Sequence, residues 1–175
     1  ASAPVVRAAG SAWGPANSAE VSAPVAGTCT ATAGGTAVQR RGNRATALAN
    51  GKALRVGGYV FASSQSVFTN SAEEYDPATR TFTATGNLRS ARYAHAAELL
   101  ADGSVLIAGG QDNANAFSPV ASRGRYLPAT REFVSAGGQV TARAFFAATR
   151  LQNNQARLVG APGRGPGRGT GTAGD

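Results

Sequence analysis

The chain has 175 residues, of which 42% are hydrophobic and only 7% aromatic, and its formal net charge is +8. It contains no run of about 18 apolar residues, so the sequence predicts no membrane span. The lone Cys29 excludes an internal disulfide and a cysteine-based metal site.

The N-terminal part of the chain divides into two predicted segments. Residues 1–18 show no useful alternation of apolar and polar residues, and we expect an irregular arm there. Residues 19–39 match the end of a repeat unit that recurs later, because Gly34 lies 52 residues before Gly86. Within this segment we expect Cys29 to be a small, half-buried strand residue.

Residues 40–58, 92–110 and 143–161 are three copies of one pattern. An arginine opens each copy, namely Arg40, Arg92 and Arg143. A small-residue pair closes each copy: Gly57-Gly58, Gly109-Gly110 and Gly160-Ala161. Between them, Asn50-Gly51 and Asp102-Gly103 separate two short runs, which predicts a hairpin with a type I′ turn. A period near 50 residues indicates a repeat architecture.

The second half of the unit also recurs, at residues 71–86 and 122–137. Tyr75 matches Tyr126, and a proline follows each tyrosine two residues later. Since proline presets a turn and does not fit a central strand, each half predicts a strand, a turn and a second strand. One unit is therefore four short antiparallel strands.

The combined pattern resembles the kelch repeat, in the form common in bacterial secreted and surface proteins. It consists of Arg-x-x-His, Leu-x-Asp-Gly-x-Val-Leu and Gly-Gly, followed by Tyr-Asp-Pro-x-Thr-x-x-Phe. The resemblance implies an all-β protein of four-stranded antiparallel β-propeller blades, in a secreted, periplasmic or cell-surface setting. The expected units are residues 40–91, residues 92–142, a partial unit at 143–160, and half a blade before residue 40.

Two and a half to three blades do not close a ring, since propellers use about 4–8 blades. Three explanations stay open: a fragment of a longer chain, completion by self-association, or a small open β-structure. Open strand edges template association with other chains, which favours self-association for an intact product of this length.

The pattern holds no self-contained catalytic constellation. Its only histidine, His95, occupies a repeat position that we expect to serve packing or a hydrogen bond within the blade. The resemblance also includes galactose-oxidase-like copper enzymes, whose site draws on two histidines. Because this chain has only one histidine, we expect no metal, cofactor or catalytic residue in it. The sequence favours a non-catalytic segment that mediates protein–protein contact or self-assembly. The alternative is a fragment of a kelch-propeller enzyme or a glycan-binding protein whose active site lies elsewhere.

Two variable loops, at residues 59–70 and 111–120, follow the glycine pairs and should emerge at the same end of neighbouring blades. Their mixture of aromatic and polar side chains suits contact with a protein or a glycan, and equally packing between blades. The candidate binding residues are Tyr59, Phe61, Phe68, Asp112, Asn113 and Phe117.

Two further features have simple interpretations. Glu73, Glu74 and Asp76 form an acidic cluster, for which we expect turn and solvated-edge roles, with Asp76 bonding the turn backbone. Residues 161–175 are rich in glycine and proline, which predicts a flexible tail. Its two arginines, Arg164 and Arg168, come without an aromatic residue, so we favour a tail over a nucleic-acid-binding segment.

Overall fold

The computed structural model describes residues 5–8, 19–23, 27–62, 65–112, 118–139, 141–151 and 155–160. Within these ranges the regular structure is all β, which confirms the predicted class, and no helix in them could cross a membrane. The strands in chain order are β1 (Val5–Ala8), β2 (Ala19–Ala23), β3 (Thr28–Ala31), β4 (Arg44–Ala47), β5 (Ala53–Val56), β6 (Tyr59–Ala62), β7 (Gln65–Phe68), β8 (Ala72–Asp76), β9 (Thr81–Ala84), β10 (Ala96–Leu99), β11 (Val105–Ala108), β12 (Ser122–Leu127), β13 (Glu132–Gly138), β14 (Ala147–Arg150) and β15 (Ala156–Val159).

Two four-stranded sheets are the repeat units that the sequence predicts. Blade 1 has the order β4-β5-β8-β9, and blade 2 has the order β10-β11-β12-β13. Every neighbouring pair in both blades is antiparallel. The registers match between the blades, since Arg55 opposes Glu73 in blade 1 and Ile107 opposes Gly124 in blade 2. The two blades are therefore structural copies of each other.

Two smaller sheets flank the full blades. The N-terminal sheet has the order β1-β2-β3, and the half-blade consists of β14 and β15. Strand β1 lies within the segment expected to be irregular, where Val5–Ala8 pairs with Ala19–Ala23. Sequence pattern misses β1 because four residues are too few to show an alternation. Cys29 lies in β3 and is exposed, so the prediction of a half-buried thiol is wrong.

The hairpin turns differ in type from the prediction. Gly51 and Gly103 have φ angles of 82° and 80°, but Asn50 and Asp102 are not in the left-handed region. In each turn one leucine N–H bonds a carbonyl four residues on, from Leu48 to Lys52 and from Leu100 to Ser104. These are three-residue loops that end in a left-handed glycine, and only this last position requires glycine.

The segment at residues 59–70, predicted to be a loop, contains a β-hairpin. Strands β6 and β7 pair with Tyr59 opposite Phe68. The hairpin is tied to blade 1 by the reciprocal backbone bonds between Arg41 and Tyr59, both of 2.9 Å. Since the hairpin follows the glycine pair of blade 1, it lies at the end of that blade where β5 finishes.

The hydrophobic core consists of two clusters, each between consecutive sheets. Between blades 1 and 2, Leu54 and Val56 pack with Val105, Ile107 and Tyr126, all at most 1% exposed. Between blade 2 and the half-blade, the cluster contains Leu106, Ala108, Phe146, Ala156 and Leu158. Burying a side chain such as Ile107 contributes about 1.5–3 kcal/mol. The first strands β4, β10 and β14 lie side by side, so the sheets are arranged around a common axis.

Backbone hydrogen bonds at the glycine pairs join one sheet to the next. The Gly58 N–H donates to the Arg92 carbonyl at 2.9 Å, and the Gly110 N–H donates to the Arg143 carbonyl at 2.8 Å. A Cβ atom at Gly109 would lie 2.5 Å from the Arg143 oxygen, which is closer than a side chain allows. The close approach of consecutive blades therefore requires glycine at this position.

Candidate functional site

A repeated arginine connects the second and third strands of each full blade. In blade 1 the Arg40 guanidinium donates to the carbonyls of Gly57, at 3.3 Å, and Ser71, at 2.5 Å. The equivalent bonds in blade 2 run from Arg92 to the carbonyls of Gly109, at 3.0 Å, and Ser122, at 3.1 Å. Both arginines are buried. Each one therefore fixes the point at which the third strand of its blade begins.

In the half-blade the corresponding arginine makes only part of this connection. Arg143 donates to the carbonyl of Gly160, which is the equivalent of the bonds to Gly57 and Gly109. Within the described ranges, no third strand pairs with β15. The half-blade thus presents the first two strands of a blade, with the arginine that would hold the third.

Among the described strands, none pairs with the outer edge of β15, whose register is known. The Leu151 N–H bonds the Gln155 carbonyl at 2.7 Å, so the hydrogen-bonded pairs with β14 continue at every second residue. Ala156 and Leu158 are the alternate positions, and their backbone groups face away from β14. The matching residues of β11, Val105 and Ile107, oppose Tyr126 and Gly124 of the third strand. The edge of β15 therefore has the register of a strand that pairs on both sides.

Several apolar side chains on the half-blade are exposed. Phe145, Val159 and Leu151 have relative exposures of 67%, 50% and 39%. Phe145 precedes β14, and Val159 ends β15. The residues equivalent to Val159 in the full blades, Val56 and Ala108, are buried against the following sheet. The exposed side of the half-blade is therefore the kind of face that a further blade covers elsewhere in this molecule.

An aromatic cluster continues from the half-blade to the predicted binding residues. The rings of Phe145 and Tyr93 meet edge to face with centroids 5.6 Å apart, and Tyr93 also lies 5.3 Å from Tyr59 and 5.6 Å from Phe68. Tyr59 and Tyr93 are half-buried, and Phe68 is buried. Of the predicted aromatic residues, Phe68 thus serves packing, and Tyr59 supports Tyr93.

Phe145 has an unusual backbone conformation. Its φ angle is 56°, and the equivalent residues Gly42 and Ala94 have φ angles of 59° and 54°. A bulky residue in this region is strained, and such strain is maintained only where the surroundings hold it. The Phe145 N–H bonds the Ala94 carbonyl at 3.0 Å, which holds the strand entry in place. Sequence pattern missed Phe145 and Tyr93 because both lie between predicted strands.

The remaining predicted binding residues are Phe61, Asp112, Asn113 and Phe117. Phe61 pairs with Ser66 through its backbone in the β6–β7 hairpin. Asn113 and Phe117 lie outside the described residues. Asp112 lies near Arg92, whose pKa is lowered by burial and partly restored by the Asp112 charge.

The prediction that the acidic cluster forms a solvated edge is wrong, because Glu73 and Glu74 are only 1% and 4% exposed. One Glu73 oxygen lies 3.3 Å from both Arg40 and Arg55, and the other accepts the Ala37 N–H at 2.6 Å. Burial, followed by the neighbouring Arg40, lowers the pKa of Arg55 to about 10.

The other two acidic residues of the cluster bond across and within the turn. Glu74 accepts a 2.7 Å bond from the Tyr126 hydroxyl of blade 2 and pairs with Arg131 at 3.3 Å. Asp76 accepts the Ala78 N–H at 2.8 Å, as a turn residue does. The cluster therefore joins neighbouring elements of the fold and closes a turn.

His95 is fully buried and does not reach a solvent-facing cleft. Neither ring nitrogen has a hydrogen-bond partner in the part of the chain that the structure describes, and burial lowers the pKa of His95 to about 3, with smaller contributions from Arg92 and Arg44. Among the described residues, no group of three histidine, cysteine, aspartate or glutamate side chains could hold a metal ion.

The architecture places the chain in the class of β-propeller-type folds. The solved structure of YjhT, a kelch/sialidase-like β-propeller, is similar to it with a TM-score of 0.69 and 14% sequence identity, over 85% of this chain. The chain spans about half of that structure, 51% of its length. No protein-family model matches the sequence, and a search of curated proteins found no match. The likeness therefore shows the fold alone.

Proposed function

We propose that this chain is a kelch-type β-propeller segment that associates with a second copy of itself through the half-blade, in a secreted or surface setting. The observation that carries the proposal is the half-blade itself, in which the described residues form two strands where blades 1 and 2 have four. Arg143 supports it, because its counterparts Arg40 and Arg92 each bond the carbonyl that opens a third strand.

The chain covers 51% of the length of the YjhT structure, so a ring of that length requires a second set of blades of about this size. The exposed Phe145 and Val159 provide apolar surface for such a contact. Unpaired strand edges also favour pairing with another chain, since each buried backbone group requires a hydrogen-bond partner.

The test is the mass of the protein in solution, measured by sedimentation equilibrium on the wild type and on Ala156→Pro. Proline removes the outward N–H of the first residue of β15 while the bonds to β14 stay intact. We expect the wild type to form a dimer of the 17.5 kDa chain, and Ala156→Pro to raise the dissociation constant by about tenfold or more. Ala156→Ser keeps the N–H and should behave as the wild type.

Two results contradict the proposal. A wild-type monomer at the highest soluble concentration would favour the alternative, in which further blades of a longer chain, with their own active site, complete the ring. An unchanged dimer in Ala156→Pro would show that the β15 edge is not the contact. Circular dichroism of both variants establishes that the comparison is made between folded proteins.

A further inference from the structure

Blade 1 contains a buried binding site for a carboxylate, and its own Glu73 fills it. The site has three donors: the guanidinium groups of Arg40 and Arg55, each at 3.3 Å, and the backbone N–H of Ala37 at 2.6 Å. The side chain of Glu73 projects from the third strand, β8, toward the connection that enters the blade. The blade thus has a place where one carboxylate is held by arginine and by a backbone N–H.

Blade 2 keeps the equivalents of Arg40 and of the Ala37 backbone N–H, but it has Ile107 in place of Arg55 and lacks the carboxylate. Gly124 stands at the position of Glu73, because Gly124 opposes Ile107 as Glu73 opposes Arg55. Arg92 is the counterpart of Arg40 and donates to the two equivalent carbonyls. Its second guanidinium nitrogen, which in Arg40 bonds Glu73, bonds the Ser122 hydroxyl at 3.0 Å.

A cleft of about 410 Å³ lies at this place in blade 2. Its polar lining comes from Arg89, Ser90, Arg92, Ser122, Arg123 and Ser135, and Gly124 forms part of its wall. Arg89 stands at the position of Ala37, so its backbone N–H is the counterpart of the third donor in blade 1. Arg89 and Ser135 are exposed, which leaves the cleft open to solvent.

The charges around the cleft favour an anion. Three arginines line it, and no acidic side chain is among its lining residues. Among the described residues, no hydrogen-bond partner meets the buried Nε atom of Arg123, so its guanidinium is not fully engaged by contacts within the blade. Asp112 influences Arg92 electrostatically but does not line the cleft. Arginine pairs with carboxylates through charge-assisted, often bidentate hydrogen bonds.

We propose that the cleft between Arg89, Arg92, Arg123 and Gly124 binds a carboxylate group from a ligand, at the place where blade 1 holds the carboxylate of Glu73. The ligand carboxylate accepts hydrogen bonds from Arg92 and Arg123, and Arg89 stands at the entrance. This site lies on blade 2, away from β15, and is independent of self-association.

The experiment follows backbone amide shifts of the ¹⁵N-labelled full chain during titration with acetate, succinate and a blocked glutamate at constant ionic strength, with chloride as reference. We expect saturable shifts at residues 88–92 and 122–124 with the carboxylates and none with chloride. A preference for blocked glutamate over acetate would identify an acidic side chain as the ligand, and the reverse a free acid.

Substitutions make the test specific. Arg123→Gln should weaken binding about tenfold or more, because it removes a charge-assisted hydrogen bond. Arg150→Gln changes an exposed arginine outside the cleft and should leave binding unchanged. Gly124→Glu supplies an internal carboxylate and should abolish binding. A Cβ at Gly124 has its nearest neighbour at 3.5 Å, an ordinary contact, so the strand can accept the side chain.

Either of two results overturns the proposal: shifts that chloride reproduces at the same ionic strength, or binding that survives both Gly124→Glu and Arg123→Gln. Gly124→Glu could fail to fold. In that case the shifts of the wild type and of Arg89→Gln, which changes an exposed residue, still decide whether the cleft binds a carboxylate.

Discussion

His95 packs beneath the glycine pair of the preceding blade. A Cβ atom at Gly57 would lie 2.7 Å from His95 Cε1, so the ring fits only because glycine stands there. At the equivalent place in the next sheet, Phe146 lies against Gly109 in the same way. The position therefore selects a flat ring, and the imidazole must be neutral because burial lowers its pKa from 6.5 to about 3.

This burial gives a pH dependence of known sign. Between pH 6.5 and about 3, the unfolded chain binds a proton at His95 and the folded chain does not, so stability is lost as pH falls. The loss should approach about 1.4 kcal/mol for each pH unit. We expect His95→Phe to reduce the slope of unfolding free energy between pH 6 and pH 4, measured by urea denaturation. The carboxylates titrate alike in both proteins, and equal slopes would contradict a buried, neutral His95.

At the scale of the strand pair, blades 1 and 2 have different residue pairs at one equivalent buried position. Blade 1 opposes Arg55 to Glu73, whereas blade 2 opposes Ile107 to Gly124. A buried ion pair offers little net stability over an apolar pair, but removing one partner leaves an uncompensated charge. Glu73 has two such partners, Arg40 and Arg55, so blade 1 depends on it more than on a typical buried residue.

Glu73→Gln should therefore lower the free energy of unfolding by about 3 kcal/mol. The control is Glu132→Gln, at an exposed residue in β13, which should change stability by less than about 0.5 kcal/mol. Adding Arg55→Ile to Glu73→Gly, which copies blade 2, should recover part of the loss of the single Glu73→Gly change. Urea denaturation of the wild type, Arg55→Ile, Glu73→Gly and the double variant measures the coupling, and additive effects would contradict the ion pair's role.

The sequence alone predicts a structural element where its cause lies in neighbouring residues. It does not predict contacts between residues that are distant along the chain. The glycine after Asn50 or Asp102 marks a turn whatever surrounds it, so both hairpins could be predicted. Burial of Glu73 could not, since its partner Arg40 lies 33 residues away and meets it only when the blade forms. The cleft of blade 2 is recognised only when Gly124 is aligned with Glu73, its equivalent in the preceding repeat. The sequence shows their spacing of 51 residues. Only the contacts of Glu73 in blade 1 show what the absence of a carboxylate at Gly124 implies.

At the scale of the whole molecule, stability should fall from the centre to the ends. Blade 2 is packed on both faces, by blade 1 on one side and by the half-blade on the other. In the part of the chain that the structure describes, the half-blade is packed on one face and no strand pairs with its outer edge, and its strands are largely exposed. Local unfolding begins where few apolar contacts are buried, so the half-blade should open before blade 2 does.

Hydrogen exchange followed by mass spectrometry connects this gradient to self-association. We expect amides of β11, whose four residues are all buried, to exchange most slowly, and those of β15 to exchange fastest among the described strands at low protein concentration. If a second copy pairs with β15, protection there rises with protein concentration while β11 is unchanged, because binding stabilises only the bound state. Ala156→Pro should remove this concentration dependence. Protection of β15 that is high and independent of concentration would mean that the half-blade is stable alone.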